Sequence, residues 1–388
     1  MALPIVSESD SGLVIGSTCG TTSAGHSYQG SEGDGQLKEK DAQTLENQGY
    51  ALVGRHSAVK VCGWTKNMIR GKGGCYKLTF YGIMSNQCMQ MTTSISCANR
   101  CTFCWRGYKA PVSKEWKWGV DDPSFIIDES LQAHHKFLTG FGGSPTANPF
   151  MYKKSLEVKH VALSLTGEPI TYPRMNEICD DYHKRGISTF LVTNAQYPEA
   201  IENLDLVTQL YLSIDAPNKE LLKEVDRPLF SDYWERMIAS LDALAKKKYR
   251  TCIRLTAIKG INMVHPKLYA EHIMRGDADF VEIKAYMFVG ESRQRLQMEN
   301  MPLHSEVVAW TKEILKYLPE YEWLAEHEPS RVVCLSKKSW NRHSWIDFPK
   351  FEELVKSGAD FDRWDYQRTD VVPEDTMYTA RNETDGGC

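Results

Sequence analysis

The sequence has no run of eighteen or more apolar residues, and its first twelve residues lack a basic region followed by an apolar core. The first absence excludes a membrane-spanning helix, and the second argues against a secretory signal. A strong overall charge is also missing, because the formal net charge is −4 over 388 residues. We therefore expect a cytoplasmic protein with one barrel-sized α/β domain or two ordinary domains.

Cysteine is abundant, but the signs of a disulfide framework are missing. The chain has 11 cysteines, an odd number, and six of them cluster between Cys62 and Cys104. Without a secretory signal, such thiols are expected to be reduced. Their number and clustering then indicate metal binding or catalysis.

Acidic residues are almost absent from residues 55–118, where 11 lysines and arginines accompany a single acid, Glu115. Such a segment can be a solvated face, or it can balance the negative charge of a thiolate-ligated cluster. A surplus this one-sided also favours an anionic partner such as the phosphates of a nucleic acid.

Strand-like apolar runs alternate with helical patterns through the middle of the chain. These runs are β-branched and nearly continuous in hydrophobicity, which is typical of parallel strands covered on both faces. Six β–α repeats predict an α/β fold, namely a partial TIM barrel of (β/α)6 form, with functional residues at the carboxyl ends of the strands. The predicted strands are residues 92–97, 160–169, 187–195, 209–217, 251–260 and 280–290.

Cys97, Cys101 and Cys104 lie at intervals of four and three residues, on a loop at the end of the first predicted strand. Iron–sulfur clusters are held by thiolates, and three protein ligands leave one iron of a four-iron cluster open to a substrate or cofactor. A zinc knuckle would need a fourth ligand at loop spacing. No Cys or His follows Cys104 before His134, which lies in a predicted helix.

A second group of cysteines, Cys62, Cys75 and Cys88, is spaced by thirteen and again by thirteen residues. Buried free cysteines are the alternative interpretation, but the segment is basic, Gly-rich and polar, which is unfavourable for core packing. Three thiolates without an obvious fourth ligand again indicate a cluster with an open iron.

The loop CANRCTFCWR resembles the signature of radical S-adenosylmethionine (SAM) enzymes, in which the open iron binds the methionine part of SAM. The two thirteen-residue spacings, together with RGKGGCYK, LSLTGEP, FLVTNAQ, LYLSIDAP, DRPLF and FVEIKAYMFVG, make residues of about 50 to 350 similar to the tRNA 4-demethylwyosine synthases of wybutosine biosynthesis. In length the chain resembles the archaeal type, without the flavodoxin-like domain of eukaryotic members.

The resemblance implies a specific reaction. The family converts 1-methylguanosine at position 37 of phenylalanine tRNA, next to the anticodon, to tricyclic 4-demethylwyosine. It uses two [4Fe-4S] clusters, SAM and pyruvate, which supplies two carbons. A deoxyadenosyl radical takes hydrogen from the N-methyl group, and the resulting carbon radical attacks the pyruvate carbonyl. An external electron donor, ferredoxin or flavodoxin, is then implied, and we expect a monomer.

The same resemblance assigns residues to SAM. Gly167 and Glu168 match the motif that holds the cofactor's amino group, and Phe103 belongs to the cysteine loop. Asn194 and Ser213, which end the next two predicted strands, are candidates for the ribose hydroxyls. Ordinary turn capping is the alternative role of these two residues.

Lys77, two residues after Cys75, matches the family's lysine that is proposed to form a Schiff base with pyruvate. An amine among many cations and near a cluster can have its pKa depressed and act as a nucleophile. Two alternatives stay open. Pyruvate could chelate the second cluster while Lys77 pairs with its carboxylate, or Lys77 could contact only phosphate.

We expect five segments along the chain, of which the first and last are predicted from their composition and lack of periodic pattern and the middle three from the motifs. They are a disordered extension (1–45), a second-cluster segment (46–91), the partial barrel (92–300), a helical, RNA-contacting extension (301–369) and a flexible tail (370–388). Bases of an anticodon loop can be splayed out and stacked on aromatic side chains that lie among cations. The predicted RNA contacts are Arg70, Lys72, Arg106, Lys109, Lys337, Lys338 and Arg342.

Two other functions are compatible with part of the sequence. A methylthiotransferase would also pair three upstream cysteines with this loop, but it would carry a carboxyl-terminal β-barrel module for which the remaining chain is too short. A zinc-dependent RNA-binding protein without catalysis would leave the six strand ends and the TGEP stretch unexplained.

Overall fold

The structure is a computed structural model that describes residues 37, 39–107 and 110–376. Its strands, all in one sheet, are β1 (Ala51–Val53), β2 (Ser57–Val59), β3 (Cys88–Thr92), β4 (His160–Leu163), β5 (Ser188–Thr193), β6 (Gln209–Ser213), β7 (Arg250–Ala257), β8 (Phe280–Ala285), β9 (Tyr321–His327) and β10 (Val332–Lys337). Its α-helices are α1 (Glu39–Asn47), α2 (Gly63–Ile69), α3 (Tyr76–Tyr81), α4 (Pro123–Leu138), α5 (Pro149–Ser155), α6 (Met175–Lys184), α7 (Pro198–Glu202), α8 (Lys219–Asp226), α9 (Tyr233–Ala245), α10 (Pro266–Gly276), α11 (His304–Leu315) and α12 (Phe348–Ser357).

The six-stranded parallel centre of the sheet is confirmed. Strands β3 to β8 pair in sequence order and all run parallel. The first of them lies at residues 88–92 instead of the predicted 92–97. Residues beyond Thr92 leave the sheet because the Thr92 hydroxyl donates to the carbonyl of Ser94 and accepts from its amide, which forms a tight turn.

Four further strands were not predicted. β1 and β2 extend the sheet before β3, while β10 and β9 extend it after β8, all by antiparallel pairing. The prediction of a helical extension over 301–369 is therefore wrong for residues 321–337. Residues 332–336 are a fully buried apolar run. The cations that flank this run concealed its strand pattern.

The predicted helices between the parallel strands are confirmed in α4, α6, α7, α9 and α10. α4 begins where the Asp122 side chain accepts from the amide of Ser124, with Pro123 in the first turn. α9 begins after Asp232, which lies at the N-cap position. A helix at Glu39–Asn47 also shows that the predicted disordered segment 1–45 extends too far.

The sheet curls around a lumen. Most side chains of the parallel strands are buried, but Cys88, Gln90, Val192, Ser213, Arg254, Thr256 and Lys284 are only partly buried. Helix α3 lies across this concave side, because Tyr81 contacts Tyr211 of β6 and Cys334 of β10. The partly buried residues therefore line an open chamber inside the partial barrel.

Some predictions lie outside the described residues. These are most of the disordered segment 1–45, the part of the tail from 377 to 388, and the RNA contact at Lys109. None of the helices within the described ranges combines the length and the apolar character that a bilayer crossing requires.

Candidate active site

The first cysteine loop begins five residues after β3, at the carboxyl edge of the parallel strands. Cys97 is buried, and its backbone bridges to Val112. The Cys97 thiol accepts from the backbone amide of Asn99 and from the side-chain amide of Asn194, both at 3.4 Å. The loop is thus anchored at the strand ends, where the barrel architecture predicts functional residues.

The DRPLF stretch braces this loop from the far side. The amide of Arg100 donates to the carbonyl of Asp226 at 3.0 Å, and the amide of Leu229 donates to the carbonyl of Ala98 at 2.8 Å. Asn99 also forms a backbone bridge with Pro228. These contacts give the motif a physical role, which is to fix the backbone that carries the cysteines.

Arg295 is a functional residue that the sequence did not reveal. Its guanidinium donates to the carbonyls of Thr102 at 2.9 Å, of Arg106 at 3.2 Å, and of Cys104. Because these carbonyls lie about 190 positions earlier in the chain, no local pattern marks Arg295. It orients the loop around the third cysteine.

The thiols of this loop are buried and lie near cations. Burial raises the pKa of Cys97 to about 11 and also raises the pKa of Cys101 well above its usual range. Arg106 is buried beside them and donates to the carbonyl of Ile95 at 2.9 Å. This position contradicts the prediction that Arg106 contacts RNA. The guanidinium instead offsets the negative charge that thiolate ligands would carry.

The Gly-Glu pair after β4 packs against the same loop. Gly167 has φ +67°, and a Cβ atom there would lie 1.9 Å from the carbonyl of Ser94. Glycine is therefore required at this position, because the backbone carbonyl of Ser94 approaches too closely for any side chain. The amide of Glu168 donates to the carbonyl of Ser96 at 2.7 Å, which fixes the side chain at the strand end.

Glu168 carries a buried oxygen without a partner. Its Oε2 accepts from the amide of Asn194 at 3.1 Å, while Oε1 is buried and unpaired among the described residues. Burial raises the pKa of Glu168 to about 8. An ammonium group brought to Oε1 would supply the missing partner and favour the ionised carboxylate, so the site fits the amino group of SAM.

We expect Glu168→Gln to weaken SAM binding by about 10- to 100-fold, because a charge-assisted hydrogen bond is lost. The fold should tolerate the change, since the carboxyl is largely neutral at pH 7 in the absence of a cation. Equilibrium binding of SAM to anaerobic protein measures the effect. Glu177→Gln, an exposed acid on α6, is the control, and equal affinities of the two variants would contradict this role.

The other residues predicted to bind SAM lie nearby, but their side chains differ in how many protein contacts they already make. The Asn194 side chain is already engaged, since its Oδ1 accepts from the amide of Gln196 and its amide donates to the Cys97 thiol. This arrangement favours the turn-capping alternative. Ser213 is partly exposed to the lumen. Phe103 packs against the apolar cluster that includes Val225.

The second cysteine group comes together at the side of the barrel. Cys62 precedes α2, Cys75 precedes α3, and Cys88 is the first residue of β3. Burial raises the pKa of Cys88 to about 12, and the other two thiols lie close enough to raise it as well. The Ser85 hydroxyl donates to the Cys75 thiol at 3.3 Å.

Neither group converges on a single point. Within the described ranges, no three His, Cys, Asp or Glu side chains are placed to hold one metal ion. A four-iron cluster does not require such convergence, because each thiolate binds a different iron. Two groups of three thiols with this placement fit two such clusters.

Lys77 projects from α3 into the lumen and is only 8% exposed. Its Nζ lies 4.8 Å from the ring centre of Tyr211 and 5.6 Å from that of Phe190. Its charge also lowers the pKa of Cys88, against the larger opposite effect of burial. The amine is therefore next to the second cysteine group and inside the chamber, away from the surface where phosphates would bind.

The predicted RNA contacts divide into two locations. Arg70 and Lys72 are exposed after α2, beside the second cysteine group. Lys337 and Lys338 lie at the amino-terminal edge of the parallel strands, opposite the first cysteine loop, and Lys337 pairs with Asp277. Arg342 follows on the next loop, and its guanidinium donates to the carbonyl of Leu324. The structure therefore does not bring this second set to the first cysteine loop.

Comparison with known proteins agrees with this geometry. A model of the radical SAM superfamily matches residues 91–273, and a model described as wyosine base formation matches residues 275–337. The solved structure of TYW1 with a lysine-pyruvate adduct bound is 34% identical, covers 79% of this chain and 98% of its own, and gives a TM-score of 0.71. The crystal structure of archaeal TYW1 is 33% identical, with coverages of 78% and 98% and a TM-score of 0.64.

Curated relatives are named S-adenosyl-L-methionine-dependent tRNA 4-demethylwyosine synthase. The protein of Oryza sativa is 48% identical over 87% of this chain and 52% of its own length. That of Xenopus laevis is 45% identical over 87% of this chain and 47% of its own length. The chain thus spans about half the length of the curated relatives it matches.

The curled parallel sheet, the three-cysteine loop at its carboxyl edge and the matched superfamily model define a radical SAM protein. Within that class, the chain belongs to the TYW1 family of tRNA 4-demethylwyosine synthases.

Proposed function

We propose that this chain catalyses the formation of 4-demethylwyosine from 1-methylguanosine at position 37 of phenylalanine tRNA, with pyruvate as the two-carbon donor. The observation that carries the proposal is a continuous series of electrostatic neighbours through the lumen, which connects the two cysteine groups. The series runs Cys101, Asp215, Arg254, Glu282, Lys77 and Cys88.

The first cysteine group would hold a [4Fe-4S] cluster, which supplies a SAM-derived radical when both are bound. The residues of this chain bind and orient the reactants around it. Glu168 presents its unpaired Oε1 to the cofactor's ammonium. The sheet and α3 line the chamber in which these reactants would meet.

Lys77 would act as the nucleophile toward pyruvate, forming a Schiff base through its Nζ atom. Its burial in the lumen supports this role over the phosphate contact, which needs an exposed cation. A second cluster at Cys62, Cys75 and Cys88 would lie beside the same amine. The relative with a lysine-pyruvate adduct is consistent with this chemistry.

The experiment that tests the proposal is anaerobic turnover with tRNA containing 1-methylguanosine, pyruvate, SAM and a reductant. Nucleosides from the digested tRNA are then analysed by mass spectrometry. We expect conversion of 1-methylguanosine to the tricyclic base only when pyruvate and SAM are both present. Unchanged 1-methylguanosine in protein that carries iron in both groups would contradict the proposal.

We further propose that the tRNA binds over the exposed cations beside the second cysteine group. Lys66, Arg70 and Lys72 lie there, and Arg100 and Lys114 are exposed near the first group. About five phosphate contacts predict that tRNA affinity falls by about 100-fold or more between 50 and 200 mM salt. Filter binding over that range measures the slope.

A pair of double variants locates this surface. We expect Arg70→Gln with Lys72→Gln to make the salt dependence shallower, by about 1.5 in the log–log slope. Lys337→Gln with Lys338→Gln is the control, because Lys337 already pairs with Asp277 and Lys338 already donates to the carbonyl of Pro319. Equal slopes for wild type and the Arg70/Lys72 variant would contradict the proposed surface.

The remaining partners follow from the same proposal. An electron donor of the ferredoxin or flavodoxin type would reduce the first cluster, and the chain would act as a monomer. We propose the cytoplasm as its compartment, because the nine cysteines in the described ranges are free thiols and a reducing environment preserves them.

A further inference from the structure

Arg254 lies in the lumen, and the proposed reaction assigns it no chemical role. It lies in the middle of β7, level with Ser213 of β6 and with Glu282 of β8. Parallel neighbours in register point to the same face of a sheet, so all three face the lumen. Arg254 is partly buried, although Ile253 and Leu255 on either side of it are fully buried.

The N–H donors of the Arg254 guanidinium are not used by protein acceptors in the described part of the chain. Within the described part of the chain, no hydrogen bond or ion pair to its side chain is found. The other enclosed arginines differ, since Arg250 donates to Gln209 and Ser344, and Arg106 donates to Ile95. A guanidinium has five N–H donors, and leaving all of them unpaired in a half-buried position is costly. Arg254 is therefore placed to receive an acceptor that the protein does not supply.

The surroundings of Arg254 favour an anionic acceptor. Glu282 lies close enough to both Arg254 and Lys77 for each cation to lower its pKa, against the dominant effect of burial. The Oε1 atom of Glu282 already accepts from the Tyr81 hydroxyl at 2.9 Å. Asp215 also lies near Arg254, and its Oδ1 already accepts from the amide of Thr256 at 2.9 Å. Among the described residues, neither carboxyl makes a hydrogen bond or ion pair with the Arg254 guanidinium, so its donors remain available to an anionic ligand.

The distance between the Lys77 amine and the Arg254 guanidinium suits a small molecule. The Lys77 amine lies over the ring of Tyr211, and Ser213 follows two residues later on the same face of β6. Two residues of a strand span about 6.6 Å, so Arg254, level with Ser213, lies roughly that far along the lumen. A short 2-oxo acid can react at one end of this gap while its carboxylate reaches the other.

We propose that Arg254 binds the carboxylate of the 2-oxo acid whose carbonyl carbon reacts with Lys77. The inference rests on the proposed function and adds the residue that orients the donor and selects for its charge. In the covalent step, the neutral Lys77 amine attacks the carbonyl carbon and a C=N bond replaces the C=O bond. The carbonyl oxygen leaves as water with the two amine hydrogens, so no oxidant or reductant is needed. Arg254 holds the carboxylate throughout by paired N–H donors.

The test is trapping of the Schiff base with cyanoborohydride in the anaerobic holoenzyme, followed by mass analysis of the intact chain. The pyruvate concentration for half-maximal trapping is measured for each variant. We expect Arg254→Gln to raise it by about 10- to 100-fold, since a charged bidentate contact is lost. Lys284→Gln is the matched control, because this lumen cation already donates to the carbonyl of Ser330 at 3.0 Å. Its half-maximal concentration should change by less than about threefold.

A neutral donor separates binding from folding. Pyruvamide has the same carbonyl but no carboxylate, and we expect wild type and Arg254→Gln to trap it equally. Equal pyruvate dependence of wild type and Arg254→Gln would overturn the inference. Loss of trapping with both donors would also overturn it, because Arg254 would then serve the structure of the site. Failure of the wild type to trap pyruvate at Lys77 would instead refute the proposed function, on which the inference depends.

Discussion

Lys77→Ala is expected to form no tricyclic nucleoside while it still produces 5′-deoxyadenosine from SAM. The two outcomes separate because Lys77 lies beside Cys88 in the lumen, away from the first cysteine loop. Removing a covalent catalyst lowers turnover by about 10³-fold or more. Product nucleosides and deoxyadenosine are measured in the same anaerobic reaction.

Two further variants distinguish a covalent role of Lys77 from an electrostatic one. Lys77→Arg keeps a positive charge but cannot form a Schiff base, so it should be as inactive as the alanine variant. Lys184→Ala removes an exposed lysine from α6, outside the proposed tRNA surface, and should keep its activity. Undiminished product from Lys77→Ala would remove this residue from the chemistry. Full activity of Lys77→Arg would leave it only an electrostatic role.

Substitutions in the two cysteine groups are expected to have different effects on iron content and on the products of the reaction. Anaerobic wild type should be brown and contain about eight irons, and loss of either cluster should leave about four. Cys101→Ser should lose both deoxyadenosine and product, because it removes a ligand of the radical-forming cluster. Cys75→Ser should keep deoxyadenosine and lose the tricyclic product.

The control for this experiment is Cys179→Ser. Cys179 is buried in α6, and its thiol contacts Met175, away from both groups. It should keep all of the iron and both products. Iron analysis and visible absorption spectra of anaerobic samples report the clusters directly. Full iron content in Cys75→Ser, or colourless wild type with zinc, would contradict two iron–sulfur sites.

The sequence predicted the centre of the fold better than its edges. Strands β4 to β8 were visible because each is rich in buried apolar residues and lies next to a helical pattern, whereas β3, with Gln90 at its centre, was predicted four residues too late. β9 was missed because its polar positions do not alternate regularly, as its mixed burial shows. β10 was missed because the basic residues around it suggested an RNA-contacting surface, although residues 332–336 are fully buried.

The residues of the candidate site also divide into those that local sequence patterns reveal and those that only the fold reveals. The cysteine spacing and the Gly-Glu pair are local patterns, so they could be found without a structure. Arg295 could not, because its contacts are with residues far away along the chain, and the proposed role of Arg254 depends on strand pairing that places it beside Glu282. Arg106 was misassigned for the same reason. A cation in a basic segment suggests a surface, and only the fold shows that it is buried beside the thiols.

The central claim is that one lumen brings the radical site and the carbon donor together at Lys77. Turnover with pyruvate labelled with ¹³C at carbons 2 and 3 tests it most directly, with the tRNA nucleosides analysed by mass. We expect the tricyclic base to be heavier by two mass units in the wild type and to be absent in Lys77→Ala. Unlabelled tricyclic base from the wild type, or labelled base from Lys77→Ala, would contradict the account.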